Sequence, residues 1–534
     1  MSRDTNKEEN KNDPRSTRLV CAKLYEGGLF SAYEILNSIK RRPFKGKSPE
    51  FELDIDKIIQ HAEAAFTHHM QYTIIAIILS LMALISYRFN TTLSSVFAIS
   101  AICLLSLKHI WNRYIAFKHF SKENYDEDYN LKRHLDESNL MKVLTKSFCE
   151  FLVRNNIKPE IDEGKNQNVV IFGDYFPFLG AGKRTRNWNF VTDLSKPKKN
   201  LESLLESQNN EEKESKINEL SIRELYEVIY ERIKNKNLPN LSYKFILFAD
   251  GNKEDELGFL LSDRKKPCTY IEDLDLFTEK SGDKSRANIQ SDSIESFFEI
   301  CKEGIFKDYR TYLNISHHDK NRSTLFSTFL RFSKIENELF AECSFYVLTP
   351  IDENIYNIDK LPKKYRFFVI KSVLVTIGLI AVYIMFSGSI IPALVLFVYS
   401  ILPLVIMFNN RFKEREYKID IEQIKRGEPH NYGLLRTFRE SIASPDYKNY
   451  FSAQDIILIQ NTLENAIVDS VADLLDSKGI DTSFIRSEMI SFINKGIMQF
   501  GGKMENTQVI SGEKNIVTQK IQEIKKVINA PMEV

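Results

Sequence analysis

Cysteine is scarce. The six present are Cys21, Cys103, Cys149, Cys268, Cys301 and Cys343, and no two form a CxxC pair. That excludes a zinc ribbon or a dense disulfide scaffold, and the thiols read as isolated and reduced. An excess of charge is missing too: 73 Lys and Arg balance 72 Asp and Glu, for a formal net charge of +1. No global field favours a nucleic-acid partner, and none is expected. Catalytic signatures are absent as well. No HExxH, GxSxG or GxGxxG occurs, and no local Cys/His signature. His317-His318-Asp319 is the only histidine cluster away from the apolar runs. Adjacent residues on a helix or strand do not share a face, so it is a poor metal pair. Asp174, Asp193, Glu336 and Glu342 stand as single carboxylates, with Arg331 and Glu342 placed to pair across a hairpin. These absences point away from an enzyme, and no metal or cofactor is implied.

Long apolar runs are what the chain does have. Met70–Tyr87, Thr92–Leu107, Ser372–Ser387 and Ile390–Phe408 contain no Asp, Glu, Lys, Arg or His. Each approaches the ~20 residues that cross a hydrocarbon core. They form two pairs, joined by Arg88-Phe89-Asn90-Thr91 and by Gly388-Ser389. The alternative is two helical hairpins buried in a large soluble core, but a soluble helix normally keeps a polar stripe. Basic residues flank the ends opposite the short turns: Lys40, Arg41, Arg42, Lys45 and Lys47, then Lys108, Arg113, Lys118 and Lys122 around the first pair. Lys363, Lys364, Arg366 and Lys371, then Arg411, Lys413 and Arg415, flank the second. The positive-inside rule therefore puts both tips outside, and both termini and the soluble mass in the cytoplasm of a bacterial inner membrane. Nothing apolar precedes the first run, so no signal peptide is expected. A mean hydropathy of -0.29 makes the rest mostly soluble by mass.

The expected fold is therefore an α+β membrane protein, with two transmembrane helical hairpins, a central cytoplasmic α+β domain and a C-terminal mainly helical domain. Residues 1–16 read as a disordered tail, 17–69 as a helical segment, 70–107 as the first hairpin and 108–367 as the α+β domain. The second hairpin is 368–408, and 409–534 is the C-terminal segment. Met141–Arg154 patterns as an amphipathic helix, and Asn168–Phe172 and Leu241–Ala249 as strands. Lys196–Glu219 is a polar loop, and Ser221 with Glu224 forms a capping box that opens a helix. Thr324–Thr349 is the clearest β signal, two alternating runs about a polar turn at Lys334–Glu338. Ser452 and Asp455 read as the cap of a long helix ending at Gly479, followed by a shorter one over Asp481–Lys495. After Gly501-Gly502 comes a β-leaning stretch, NTQVISGEKN. Val517, Ile521, Ile524 and Ile528 then recur at helical spacing, a stripe that folds onto its own domain or pairs with a second subunit as a homo-oligomer.

One glycine-rich stretch, Gly173–Arg184, follows a strand. It is not a P-loop: Pro177 stands where the first Gly belongs, and Arg184 where a Ser or Thr would hold magnesium. Gly180 and Gly182 are the candidate positions for a nest of backbone N–H groups. Lys183, Arg184 and Arg186 would supply charge for an anionic small ligand or a lipid headgroup. The competing reading is a tight turn whose glycines take positive φ.

Several stretches occur together: RLVCAKLYEGGLF, PFLGAGKRTRNWNFVTDL, FLRFSKIENELFAE, VLTPIDENIY and INKGIMQFGGKMENTQVISGEKN. As a set covering nearly the whole chain, they resemble an uncharacterised group of four-transmembrane-helix bacterial membrane proteins common in actinomycetes. The group shares a PFxGxG motif followed by W.F..DL. The resemblance implies a membrane fold and carries no activity. The C-terminal segment also resembles short tails on proteins of bacterial conflict and signalling systems. Three functions follow as expectations: a non-enzymatic membrane protein with a cytoplasmic ligand- or partner-binding domain, an oligomerising effector that permeabilises the membrane in defence or stress, and a membrane-tethered enzyme acting on a nucleotide or lipid.

Overall fold

The computed structural model describes residues 15–40, 45–51, 53–122, 125, 167–197, 220–254, 257–262, 266–271, 274, 308–319, 324–352, 354–360, 362–410, 422–445, 449–483 and 485. Helices are α1 (Arg15–Glu26), α2 (Gly28–Lys40), α3 (Ile55–Tyr87), α4 (Thr91–Phe120), α5 (Ile222–Lys234), α6 (Pro362–Met385), α7 (Ile391–Asn410) and α8 (Tyr450–Ser477). Strands are β1 (Val169–Phe172), β2 (Lys183–Asp193), β3 (Leu241–Asp250), the two-residue pair β4 (Leu261–Ser262) and β5 (Lys266–Pro267), β6 (Tyr309–Asp319), β7 (Thr324–Ile335) and β8 (Glu338–Leu348). The chain divides into two interleaved units. One holds Met1–Gly180, Asp250–Tyr270 and Ile351–Ala443; the other holds Ala181–Ala249, Ile271–Pro350 and Ser444–Val534.

The first unit is mainly helical. Asp54 caps α3 by accepting the Lys57 N–H at 3.1 Å. Asn90 caps α4 by accepting from Thr92 and Leu93 at 2.9 and 3.3 Å, which makes the turn between α3 and α4 short. α3 packs along α4, as the short connection predicts. The second pair behaves differently. α6 lies on α4 and α7 lies on α3, and among the described residues α6 and α7 do not pack along each other beyond their turn. Ala76, Ser80, Ala83, Ala98 and Ala101 are fully buried, so small side chains let the backbones approach. Ser80 and Ser400 hydroxyls meet at 2.9 Å, and the Tyr87 hydroxyl donates to the Gly388 carbonyl at 2.8 Å, joining the two turns. α3, α4 and Phe367–Met385 of α6 are long and apolar enough to cross a membrane. The fourth apolar helical stretch, Ile391–Ile406, is shorter.

α1 is tied into this unit by Arg18, whose side chain is only 2% exposed. Its guanidinium donates to both Asp359 oxygens at 2.6 and 2.7 Å and to the Phe120 carbonyl at 2.6 Å. Leu24, Tyr25, Ile58, Met70 and Phe120 form the core beneath it.

The second unit is built on an antiparallel sheet of order β3-β6-β7-β8-β2. The β7–β8 hairpin sits where the alternation placed it. Arg331 lies opposite Glu342, with an ion pair at 3.2 Å. Ser221 caps α5 as expected, accepting the Arg223 N–H at 3.3 Å. Tyr226 of α5 packs edge-on against Phe245 and Phe332 of the sheet, and α8 packs against α5. The start of α8 corrects the sequence reading. Asn449, not Ser452, is the cap, accepting the Ser452 N–H at 3.3 Å, and Ser452 lies buried inside the helix. Strands β2 and β6 carried no clear alternation and were not expected. β2 hides Trp188, Phe190 and Thr192 on one face behind a charged first turn. The elements expected at 141–154, over most of 196–219 and beyond 485 lie outside the described residues, as does the tail stripe.

Candidate functional site

Four of the five glycine-loop candidates, Gly182, Lys183, Arg184 and Arg186, belong to the second unit; Gly180 belongs to the first. Both glycines have positive φ, +84° and +86°. A Cβ at Gly182 would come within 2.3 Å of the Val347 carbonyl oxygen, so the space beside it is filled by β8 backbone. A Cβ at Gly180 would meet the Pro49 carbonyl at 3.1 Å, and the Ser48 hydroxyl donates to Leu179 O at 3.0 Å next door. The glycines thus serve close backbone approach.

The charged residues take different roles. Lys183 is exposed and donates its ammonium to the Pro445 carbonyl. Arg184 is exposed and faces Tyr346 in the ladder, where burial pushes the phenol up to about 12. Between Arg184 and Arg186 the register shifts by a β-bulge at Thr185. The bulge turns Arg186 inward, as bulges re-aim side chains. Arg186 there forms an ion pair with Glu464 of α8; the two side chains are 11% and 1% exposed. The Thr185 hydroxyl lies 2.9 Å from Gln460 Oε1 and 3.2 Å from the Phe345 carbonyl. Burial pushes the Glu464 carboxyl up, while Arg186 pulls it back toward ionisation. Cys343, beneath them, has its thiol raised by burial and by the Glu464 charge.

The sequence reading did not single out Glu464 or Gln460. Their signal was available: two polar residues four apart on the same stripe as Ile456, Ile459, Leu463 and Ile467. Chemically, Thr185, Arg186, Gln460 and Glu464 form a buried polar clasp holding β2 to α8. An open groove of about 560 Å3 lies nearby, lined by Glu227, Val228, Glu231, Arg232, Asn235 and Asp469. Its mixed charges select no ligand class. His317 Nδ1 donates to the Pro239 carbonyl at 2.8 Å, because a carbonyl can only accept, and so fixes a turn. Among the described residues no group of three His, Cys, Asp or Glu side chains could hold a metal ion.

A second polar constellation sits in the helical unit, where α1, α3 and α4 meet. His69 Nε2 lies 3.0 Å from the Leu24 carbonyl, which can only accept, so Nε2 carries the proton. Nδ1 of His69 then accepts from the Asn112 amide at 3.2 Å, and Asn112 Oδ1 accepts from His68 Nε2 at 3.1 Å. One direction of donation therefore runs His68, Asn112, His69, Leu24. Lys108 donates to His69 O and to Thr73 Oγ1, both at 3.2 Å. Every bond of this chain joins groups within the helical unit, which makes it a packing device. A third polar contact closes the unit: Glu50 accepts the Phe438 and Arg439 N–H groups, both at 2.8 Å. Burial pushes its carboxyl up to about 7.

Comparison with known proteins adds a family. An AbeC-like domain matches residues 187–506. The match takes in β2 from Asn187, the rest of the sheet, α6, α7 and α8, while Gly180, Gly182, Lys183, Arg184 and Arg186 precede it. No curated protein and no solved structure matches the chain. Because the matched region covers more than half of the sequence, the chain belongs to the AbeC-like domain family.

Proposed function

We propose that this is a multi-pass membrane protein of the bacterial inner membrane, with a non-enzymatic cytoplasmic domain that binds a ligand or partner. The observation that carries the reading is the exposed apolar surface of α6. Only 6% of its most apolar window is buried, and Phe367, Ile370, Leu374, Val375, Leu379 and Val382 point outward. A soluble chain rarely leaves a contiguous patch of that kind uncovered, and lipid is the solvent that suits it. The two short turns bear no basic residue except Arg88, which supports tips outside and soluble mass inside. In this reading the protein stays in the membrane pellet after an alkaline carbonate wash. Release into the supernatant would contradict it.

The ligand reading narrows to Lys183 and Arg184, the two basic side chains exposed at the start of β2. Arg186 leaves it because Glu464 neutralises its charge, and the glycines leave it as backbone-contact positions. A thermal-shift screen with nucleotides, cyclic oligonucleotides and anionic lipids tests this. A shift lost in the Lys183→Ala/Arg184→Ala variant supports an anion site there; a shift that the variant retains places the ligand elsewhere. The effector reading is favoured by one observation: α6 and α7 diverge around the first pair, leaving two apolar helices free to meet neighbouring subunits. Loss of membrane potential on overexpression supports it, and harmless overexpression counts against it. No observation favours the enzyme reading.

A further inference from the structure

β2 is the last strand of the sheet, and among the described residues no strand lies on its far side. The Leu194 N–H donates to the Asn337 carbonyl at 2.7 Å, on the β8 side. Backbone direction alternates along a strand. The even-numbered residues from Trp188 to Thr192 therefore bond to β8, and Asn187, Asn189, Val191 and Asp193 turn their N–H and C=O groups outward. Their side chains lie on the face opposite the buried Trp188, Phe190 and Thr192.

This open edge has definite limits. The bulge at Thr185 and the inward charge of Arg186 interrupt it on one side, and the turn after Asp193 ends it on the other. Bulges and inward charges are devices that stop edge pairing. The seven residues between, Asn187–Asp193, contain none of them: no Pro, no Lys and no inward charge. They are rich in residues that suit a strand, with Trp188, Phe190, Val191 and Thr192.

We propose that Asn187–Asp193 pairs antiparallel with the same segment of a second copy of this chain, joining two sheets edge to edge about a two-fold axis at Phe190. Phe190 is the midpoint of the unobstructed stretch. With the axis there, Asn187 faces Asp193 of the second copy, and Asn189 faces Val191. These are the outward-directed positions, so both pairs exchange backbone hydrogen bonds. The Asn187 amide donates to the Asp193 carboxylate at each end. Asp193 is the only charged residue in the stretch, so no like charges meet. A two-fold contact of one patch with itself is the commonest form of closed assembly. The proposal rests on the sheet and not on the membrane reading.

The test is the mass of the full-length protein in detergent, by light scattering, for the wild type and three variants. Asn189→Pro removes an outward N–H that β8 does not use, so the internal ladder survives. Asn187→Asp sets carboxylates opposite each other, and adding Asp193→Asn restores an amide–carboxylate pair with the roles exchanged. Asp193 Oδ1 accepts the Ser195 N–H at 2.9 Å, a bond an asparagine keeps. The expected result is a dimeric wild type, half that mass for Asn189→Pro and for Asn187→Asp, and the dimer regained in the double variant. A monomeric wild type overturns the proposal. So does a dimer indifferent to Asn189→Pro, or an Asn187→Asp monomer that Asp193→Asn does not rescue. Unchanged melting of each monomeric variant shows that it is still folded.

Discussion

The helical pairs and the sheet solve opposite packing problems. In the sheet the interior is apolar, and a buried ion pair such as Arg186–Glu464 has to be built with care. In α3, α4, α6 and α7 the outside is apolar, and the contacts between helices are made by small and hydroxyl side chains such as Ala76, Ser80, Ala83 and Ser400. The difference is what each surface meets. A hydrophobic core drives the sheet together because water is the alternative. Helices whose surroundings are as apolar as their own side chains gain little from apolar contact, and close approach and hydrogen bonds decide instead. A polar group is thus costly to disturb in the sheet and cheap to disturb in the helices.

The largest effect expected from breaking this contrast is at Glu464. Glu464→Ala leaves the Arg186 guanidinium buried without its partner, at a cost of about 3–5 kcal/mol. Arg186→Ala costs less, because a stranded carboxyl can take up a proton whereas a guanidinium cannot lose one. Arg186→Met with Glu464→Leu restores most of the stability. Urea or thermal denaturation of the three variants checks the order; equal losses for the two single variants would contradict it.

Glycines sharpen the comparison next. Gly182→Ala sets a Cβ 2.3 Å from a carbonyl oxygen at a φ of +86°, and should cost about 1–3 kcal/mol. Gly378 of α6 has nothing within 4 Å, so Gly378→Ala should leave melting unchanged or raise it slightly. A Gly378→Ala variant as unstable as Gly182→Ala would mean that α6 is tightly packed.

Acidity gives a third contrast, confined to the helical unit. The Glu50 carboxyl is raised from its ordinary 4.5 to about 7. Between those values the folded protein binds more protons than the unfolded chain, so stability falls as pH rises through that window. Glu50→Gln, which keeps one of the two accepting oxygens and cannot ionise, should flatten that slope in a melting-against-pH series. A slope that persists in the variant assigns it to another group. The smallest effect is at Ser80. Each serine also reaches its own helix, Ser80 to Ala76 O and Ser400 to Leu396 O. Ser80→Ala should therefore cost only about 0.6 kcal/mol, the average for such bonds between membrane helices.

Much of this architecture could be read from residue patterns, for physical reasons. The charge-free runs and the β7–β8 alternation each depend on one strong signal, hydropathy in one case and period-two burial in the other. Ser221 was legible because a cap is a local contact. β2 was missed because Lys183, Arg184 and Arg186 mask the alternation of Trp188, Phe190 and Thr192, and because a bulge shifts its phase at Thr185. The roles of Gly182 and Arg186 were beyond reach for a related reason. Val347 lies 165 residues from Gly182 and Glu464 lies 278 from Arg186, and no local pattern announces partners that distant. The packing of α6 on α4 and of α7 on α3 was hidden because the apolar runs within all four helices carry no charge on any face, so no stripe marks which one meets which.

The central proposal is that two apolar pairs cross a membrane with both short turns outside and the soluble mass in the cytoplasm. Single cysteines at Asn90, Ser389 and Asn189, in a background with the native cysteines replaced, test it most directly with a membrane-impermeant maleimide on intact cells. The account predicts labelling at Asn90 and Ser389 in intact cells, and at Asn189 only after lysis. Labelling of Asn189 in intact cells, or of all three only after lysis, would contradict it.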